Sequence, residues 1–204
     1  IFGWYTIPYT NQDCDNKYSQ WGDSAIQKAI QGGANINNYS RIVFIFPTIG
    51  TCEWSGKGTI GGNPSKAWIG WIPNMQIGDI IYNLSHLNNF ILRHEIGHNL
   101  GSMHAATIYC DYLSINQYDK CVQQEYGDAY DIMGGGYFHT SHQLNAPHKI
   151  SSGWIDPNQI QTVTSNGTYT INALETNDAG IKTLKIPKND TGEFYFLEFR
   201  KPIG

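Results

Sequence analysis

The segment His94-Glu95-Ile96-Gly97-His98-Asn99-Leu100-Gly101-Ser102-Met103-His104 gathers three imidazoles, one carboxylate and a bend-forming glycine. On a helix, residues four apart stand on the same face, so His94 and His98 aim ring nitrogens at a common point and Glu95 stands beside it. A helix that simply continued would carry position 104 away. Gly101 permits the sharp turn that returns His104, because glycine takes the positive φ found just past helix ends at little cost. The spacing predicts a three-histidine zinc site with an open fourth position, the catalytic arrangement. Structural zinc sites are closed by four protein ligands, usually including cysteine.

The chemistry follows from such an ion, which brings the pKa of a bound water to roughly 7 and polarises a carbonyl. Glu95 is placed to take the water's proton as general base and to hand it to a leaving amine as general acid. These residues point to hydrolysis of a peptide bond without a covalent intermediate on the chain.

About thirty residues beyond His104 comes Asp131-Ile132-Met133-Gly134-Gly135-Gly136, an apolar side chain in a glycine-bent turn. With the long histidine motif, this run resembles the metzincin zinc endopeptidases, where a methionine turn lies beneath the metal. Cys52-Glu53-Trp54-Ser55-Gly56, His94 through Ala105, Asn145-Ala146-Pro147-His148, Gly153-Trp154 and Tyr195-Phe196-Leu197-Glu198-Phe199-Arg200 are similar to gametolysin-type peptidases and their bacterial relatives. The resemblance implies an α+β (mixed α/β) fold over residues 1–155: a catalytic domain with a twisted mixed sheet, an active-site helix and a Met-turn. It also implies one Zn2+ on His94, His98 and His104, Glu95 as the catalytic group, and Met133 as an apolar floor. The expected protein is a secreted, monomeric endopeptidase acting on proteins or peptides, with a removed propeptide upstream.

Two residues after the turn methionine, astacin-like and serralysin-like enzymes carry a tyrosine; here Gly135 stands. Tyr137 and His139 are the candidates for its transition-state or pocket role, with His142 and His148 further on. For each the plainer reading, a wall tyrosine or a surface or helix-cap histidine, is the favoured one.

Composition bounds the alternatives. The chain has 204 residues and a formal charge of −4. It has no Lys/Arg cluster, which argues against nucleic acid or an anionic membrane as the main partner. No apolar run is long enough to span a bilayer. The start at Ile1, without a signal-like segment, suggests a mature or trimmed product. Four cysteines, none within the zinc motif, read as two disulfides of a secreted protein. Three connectivities are possible, and Cys14 with Cys52 and Cys110 with Cys121 is the preferred one. A free Cys14 sitting on the zinc as an inhibitory thiolate is the competing idea. Asn38, Asn83, Asn166 and Asn189 open N-x-S/T sequons, which mark glycosylation only in a eukaryotic source. Scattered Asp residues leave Ca2+ open, but there is no EF-hand or repeat-type loop.

Along the chain, Phe2–Ile7 alternates like a strand, and Asp23 can cap a helix running to about Gln31, ended by Gly32-Gly33. Arg41–Phe46 reads as a sheet-interior strand stopped by Pro47. Lys66–Ile72 reads as another strand. At a sheet edge it would offer its backbone to an extended substrate; as a paired strand it would bury its tryptophans. Asn83 or Ser85 can cap the histidine-bearing helix, and Leu87, Phe90, Ile91, Leu92 and Ile96 supply its apolar contacts. A short helix is expected around Gln143–Ser151, and from about Asp156 a small β-rich subdomain, residues 156–204.

Two other function classes share these residues. One is an adhesin or matrix-binding module stabilised by zinc, although such a site has no use for Glu95. The other is a different zinc hydrolase, such as an amidase or a narrowly targeted toxin.

Overall fold

The computed structural model describes residues 1–47, 52–77, 79–110, 121–135, 142–188 and 191–203. The described residues divide into two compact units, Ile1–Met103 and those from His104 onward. Helices and short mixed sheets occur in both, the α+β class expected from the sequence.

In the first unit the strand expected over Phe2–Ile7 does not form. No ladder reaches it, and Trp4 is 79% exposed. Helix α1, Cys14–Gln31, begins ten residues earlier than a cap at Asp23 suggests. Asp13 organises its start, accepting from the Thr10 amide and hydroxyl at 3.1 Å each and from Lys17 at 2.8 Å. The polar residues of its first turns hid a core stripe of Cys14, Trp21, Gly22 and Ala29 at spacings of seven and eight. Gly22 belongs in that stripe because a Cβ there would stand 2.8 Å from the Trp68 indole nitrogen and 2.9 Å from Phe44. The helix ends where predicted, with Gly33 at φ +92 and the Ala34 amide donating to the Ala29 carbonyl at 2.9 Å.

Strands β1 (Arg41–Pro47), β2 (Gly56–Gly58) and β3 (Ser65–Trp71) form one sheet in the order β1-β3-β2. β1 runs parallel to β3, and β2 runs antiparallel. One expectation changes here, and one left open is decided. β1 is an outer strand whose Val43 and Ile45 are exposed, with only Phe44 among its side chains fully buried. β3 is central, with Ala67, Trp68 and Ile69 in the core, so its backbone is committed on both sides and cannot receive a substrate strand. A two-stranded antiparallel pair, β4 (Met75–Ile77) with β5 (Ile80–Tyr82), follows. Cys14 and Cys52 are disulfide-bonded, the preferred pairing.

Helix α2, Ser85–Asn99, carries the histidines. The N-cap position is Leu84 and no side chain caps the helix, so neither Asn83 nor Ser85 plays the expected part; the Asn83 carboxamide instead accepts the Ser85 amide at 2.9 Å, in a turn just before the helix. Phe90 and Ile91 are buried on it; Leu87, Leu92 and Ile96 are half-buried. Two buried asparagines fasten α2 to the sheet. Asn88 donates to the Ile72 carbonyl at 2.8 Å and accepts the Ile72 amide at 2.9 Å, so its side chain extends the hydrogen bonding past the end of β3. Asn99 donates to the carbonyls of Lys66 at 2.9 Å and Thr59 at 3.0 Å. Asn88, Glu95 and Asn99 fall at i, i+7 and i+11, one stripe of the helix.

In the second unit, β6 (Thr107–Tyr109) pairs antiparallel with β7 (Val122–Gln124), and Cys110–Cys121, the other preferred disulfide, closes the pair just beyond Tyr109 and Val122. Helix α3, Ala146–Ser151, starts later than Gln143, because Gln143 is bridged to Asp131 and Asn145 serves as cap, accepting from the His148 amide at 2.9 Å. β8 (Ile160–Thr162), β9 (Thr183–Pro187) and β10 (Phe194–Glu198) form a sheet in the order β10-β9-β8. Ala146, Ile155 and Leu174 make a small core. The Glu198 carboxylate receives the Ala146 amide at 2.5 Å and the Arg200 guanidinium, which also donates to the Tyr130 carbonyl.

Lys182, 4% exposed, is fully engaged in this unit. Its ammonium donates to the carbonyls of Ala173 at 3.0 Å and Thr176 at 2.7 Å, to the Thr176 hydroxyl at 2.8 Å, and meets the Asp178 carboxylate at 3.0 Å. The Thr176 hydroxyl and then Lys182 hold Asp178 well below the usual carboxylate range.

Candidate metal centre

α2 ends in the turn the sequence predicts. Gly101 has φ +96, its amide donates to the His98 carbonyl at 2.8 Å, and the Ser102 amide donates to the Gly97 carbonyl at 3.1 Å. That pair of bonds is the Schellman closure, in which a glycine past the cap takes the left-handed conformation.

The result is a group of three imidazoles. The ligand atoms offered by His94, His98 and His104 all lie within 4.8 Å of one another, and among the described residues no fourth His, Cys, Asp or Glu joins them. Three imidazole nitrogens are a ligand set found in catalytic zinc sites. Cys14 is excluded as an inhibitory thiolate by its disulfide with Cys52, and among the described residues no cysteine is free.

Hydrogen bonds set the tautomers of two of the rings. The His98 Nδ1–H donates to the Ser102 carbonyl at 2.8 Å, leaving the Nε2 lone pair for a cation. His104 Nδ1 lies 2.6 Å from Glu125 Oε1. Sequence reading missed Glu125, and no local signal could have found it, because it stands 21 residues from His104 and meets it only through the β6–β7 pairing.

Glu95 is 6% exposed and packs against the glycines of β2. A Cβ on Gly56 would stand 2.5 Å from Glu95 Oε1. One on Gly58 would stand 2.8 Å from the Glu95 carbonyl oxygen and 3.0 Å from its Oε2. Burial pushes the Glu95 carboxyl up to about 7, and the charge of Lys57 pulls the other way. The role of these glycines was not read from the sequence, where Ser55 to Gly62 looks only like a glycine-rich connection.

Met133 is wholly buried, in a turn built on Asp131. The Asp131 carboxylate accepts the amides of Met133 at 2.7 Å and Asn145 at 2.8 Å and pairs with His148 Nδ1 at 3.0 Å. The Met133 carbonyl receives the Ala105 amide at 3.0 Å, and the Ala105 carbonyl receives the Asp128 amide at 3.1 Å. The residue after His104 is thereby locked between two segments. Gly134 and Gly135 are required by the same packing: their Cβ atoms would fall 1.8 Å from the Asp128 oxygen and 2.7 Å from the Tyr126 oxygen. His148 is held by Asp131, and His142 is half-buried one residue before Gln143. Tyr137 and His139 lie outside the described residues.

A family model for gametolysin peptidase M11 matches residues 7–201, nearly the whole chain. The chain belongs to the gametolysin peptidase M11 family. It is therefore a metallopeptidase, and its substrate is protein, in agreement with the three-histidine group of α2 and the turn that follows. No curated protein and no solved structure matches this M11 chain. Among its described residues, no helix is long and apolar enough to cross a membrane.

Proposed function

We propose that this M11 peptidase is a secreted zinc endopeptidase of the metzincin type that cuts internal peptide bonds. His94, His98 and His104 hold the zinc ion, and Glu95 moves the protons. The observation that carries the reading is a buried carboxylate next to a three-imidazole group, in a cradle that only glycine at positions 56 and 58 leaves open. Bound there, zinc supplies a Lewis acid for the scissile carbonyl and brings a coordinated water's pKa to about 7.

The chain's own residues do the rest. The Ser102 and Glu125 contacts keep two imidazoles turned with Nε2 free, which costs no reorganisation during the reaction. Glu95, desolvated and confined by β2, accepts the proton of the attacking water at a carboxylate oxygen and returns it to the departing amine. Met133 forms the apolar floor, and Tyr137 or His139 supports the developing oxyanion. Two disulfides fit an oxidising, extracellular setting.

The test is Glu95→Ala. The variant should bind one zinc per chain like the parent and fail to digest casein or gelatin, while the parent digests both and is silenced by a chelator. Appreciable proteolysis by the variant would refute the mechanism. Digestion of a peptide library should give cuts at internal bonds of many unrelated sequences; cleavage of a single sequence would favour a narrowly targeted enzyme.

A further inference from the structure

We propose that the consecutive residues Glu125 and Tyr126 form a positioning clamp for His104, gripping the third imidazole by its edge and by its face. This rests on the reading of His104 as a zinc ligand.

The edge is held by Glu125. Its Oε1 lies 2.6 Å from Nδ1 of His104, so it takes the Nδ1–H and commits the Nε2 lone pair to the outer side of the ring. The face is held by Tyr126, whose ring centroid is 3.9 Å from that of His104 with the planes tilted by 38°. Two orthogonal contacts from adjacent residues remove both ring rotations that would carry Nε2 away from a shared ion.

The backbone delivering them is strained. Tyr126 has φ +60 and is the only non-glycine residue at positive φ among the described residues. The Gly127 amide donates to the Gln124 carbonyl at 3.1 Å, closing a turn with Tyr126 at the third position, where glycine or asparagine is the ordinary choice. A bulky residue at such a position persists only when its surroundings enforce it, and these positions cluster at functional sites. The surroundings here do enforce it. The Gly135 amide donates to the Tyr126 carbonyl at 2.5 Å, and Gly127 lies so close to Thr107 that a Cβ would meet its side chain at 2.7 Å. A glycine at 126 would satisfy the turn with less strain, but it would lose the ring that covers His104.

A purely structural account of the same residues makes a different forecast. The Glu125 side chain is 67% exposed, and an exposed pair of this kind adds little to fold stability. Its removal should then change nothing that can be measured, whereas a clamp acts on metal affinity.

The experiment uses the full chain and the variants Glu125→Ala, Glu125→Gln and Tyr126→Gly. Zinc affinity is measured by chelator competition, the visible absorption of the Co(II) form is recorded, and the Tm of the metal-free protein is taken. The clamp predicts that Glu125→Ala binds zinc about 10- to 100-fold more weakly with the metal-free Tm unchanged, and that Glu125→Gln, which can still accept the Nδ1–H, recovers most of the affinity. Tyr126→Gly should weaken binding and alter the Co(II) bands without lowering the metal-free Tm. Parental affinity and Co(II) spectra in Glu125→Ala and Tyr126→Gly overturn the clamp and leave the zinc reading intact. A parent chain that takes up no zinc overturns both.

Discussion

Gly56 leaves Glu95 the room it occupies: a Cβ on Gly56 would reach to 2.5 Å of Oε1 and 2.7 Å of Cγ. The neighbour at Gly58 is different in kind, since a Cβ there would first meet the Glu95 backbone carbonyl at 2.8 Å. Gly56→Ala can be accommodated by swinging the carboxylate away, at a cost of about 1–2 kcal/mol in stability. It should therefore lower kcat at least tenfold while Tm falls only a few degrees. Gly58→Ala must move helix backbone and should lower Tm and activity together. Kinetics and thermal melts of the two variants check this, and equal behaviour would mean that β2 does not confine the carboxylate.

Asn99 ties the end of α2 to the sheet through its donors to Lys66 and Thr59. Asn99→Ala removes a donor from two half-buried carbonyls, of which that of Lys66 keeps the Thr59 amide, and should cost about 1–2 kcal/mol, read by urea denaturation. A loss under about 0.5 kcal/mol would show that the carboxamide is not a fastening.

Asp131 supplies a pH signature. Burial pushes its carboxyl up, but hydrogen bonds from His148, Met133 and Asn145 and the charge of His148 outweigh it, and the net shift is downward. A folded-state pKa below the unfolded value of about 3.9 contributes stability that is fully present above that value and is lost as pH falls through the folded pKa. The stability gap between the parent and Asp131→Asn, about 2 kcal/mol at pH 5, should shrink as pH falls below about 4. A gap that widens toward acid would contradict this sign.

Cys110–Cys121 closes a loop with a sequence separation of 11 and braces two three-residue strands that would be marginal alone. Replacing both cysteines by serine should cost about 2–3 kcal/mol. It should also speed amide exchange at Thr107–Tyr109 and Val122–Gln124. Unchanged exchange there would show that the pairing stands without its brace.

How much of this was legible in the sequence follows from range. His94, Glu95, His98 and His104 could be read because a helix and one glycine turn bring them together within a single short segment. Met133 could be read from its glycines. The preferred cysteine pairs proved correct, and the end of α1 lay at its glycines. What escaped depends on pairing across the chain. The outer place of β1 and the inner place of β3 are set by their partners, which apolar runs do not reveal. Glu125 reaches His104 only after β6 and β7 have paired. The stripe Asn88, Glu95, Asn99 is the exception: it is local and periodic, but an apolar search along α2 passes over polar core residues.

Lys182 has a consequence of its own. Two carbonyls, a hydroxyl and a carboxylate around one positive charge are the kind of oxygen shell that a dissolved hard cation would otherwise fill. Because this charge is tethered to the backbone of the strand it supports, dilution cannot empty the nest and sequestering agents cannot compete for it. An inhibitor that works by stripping ions should therefore silence the enzyme reversibly, leaving β8, β9 and β10 folded and ready for reloading.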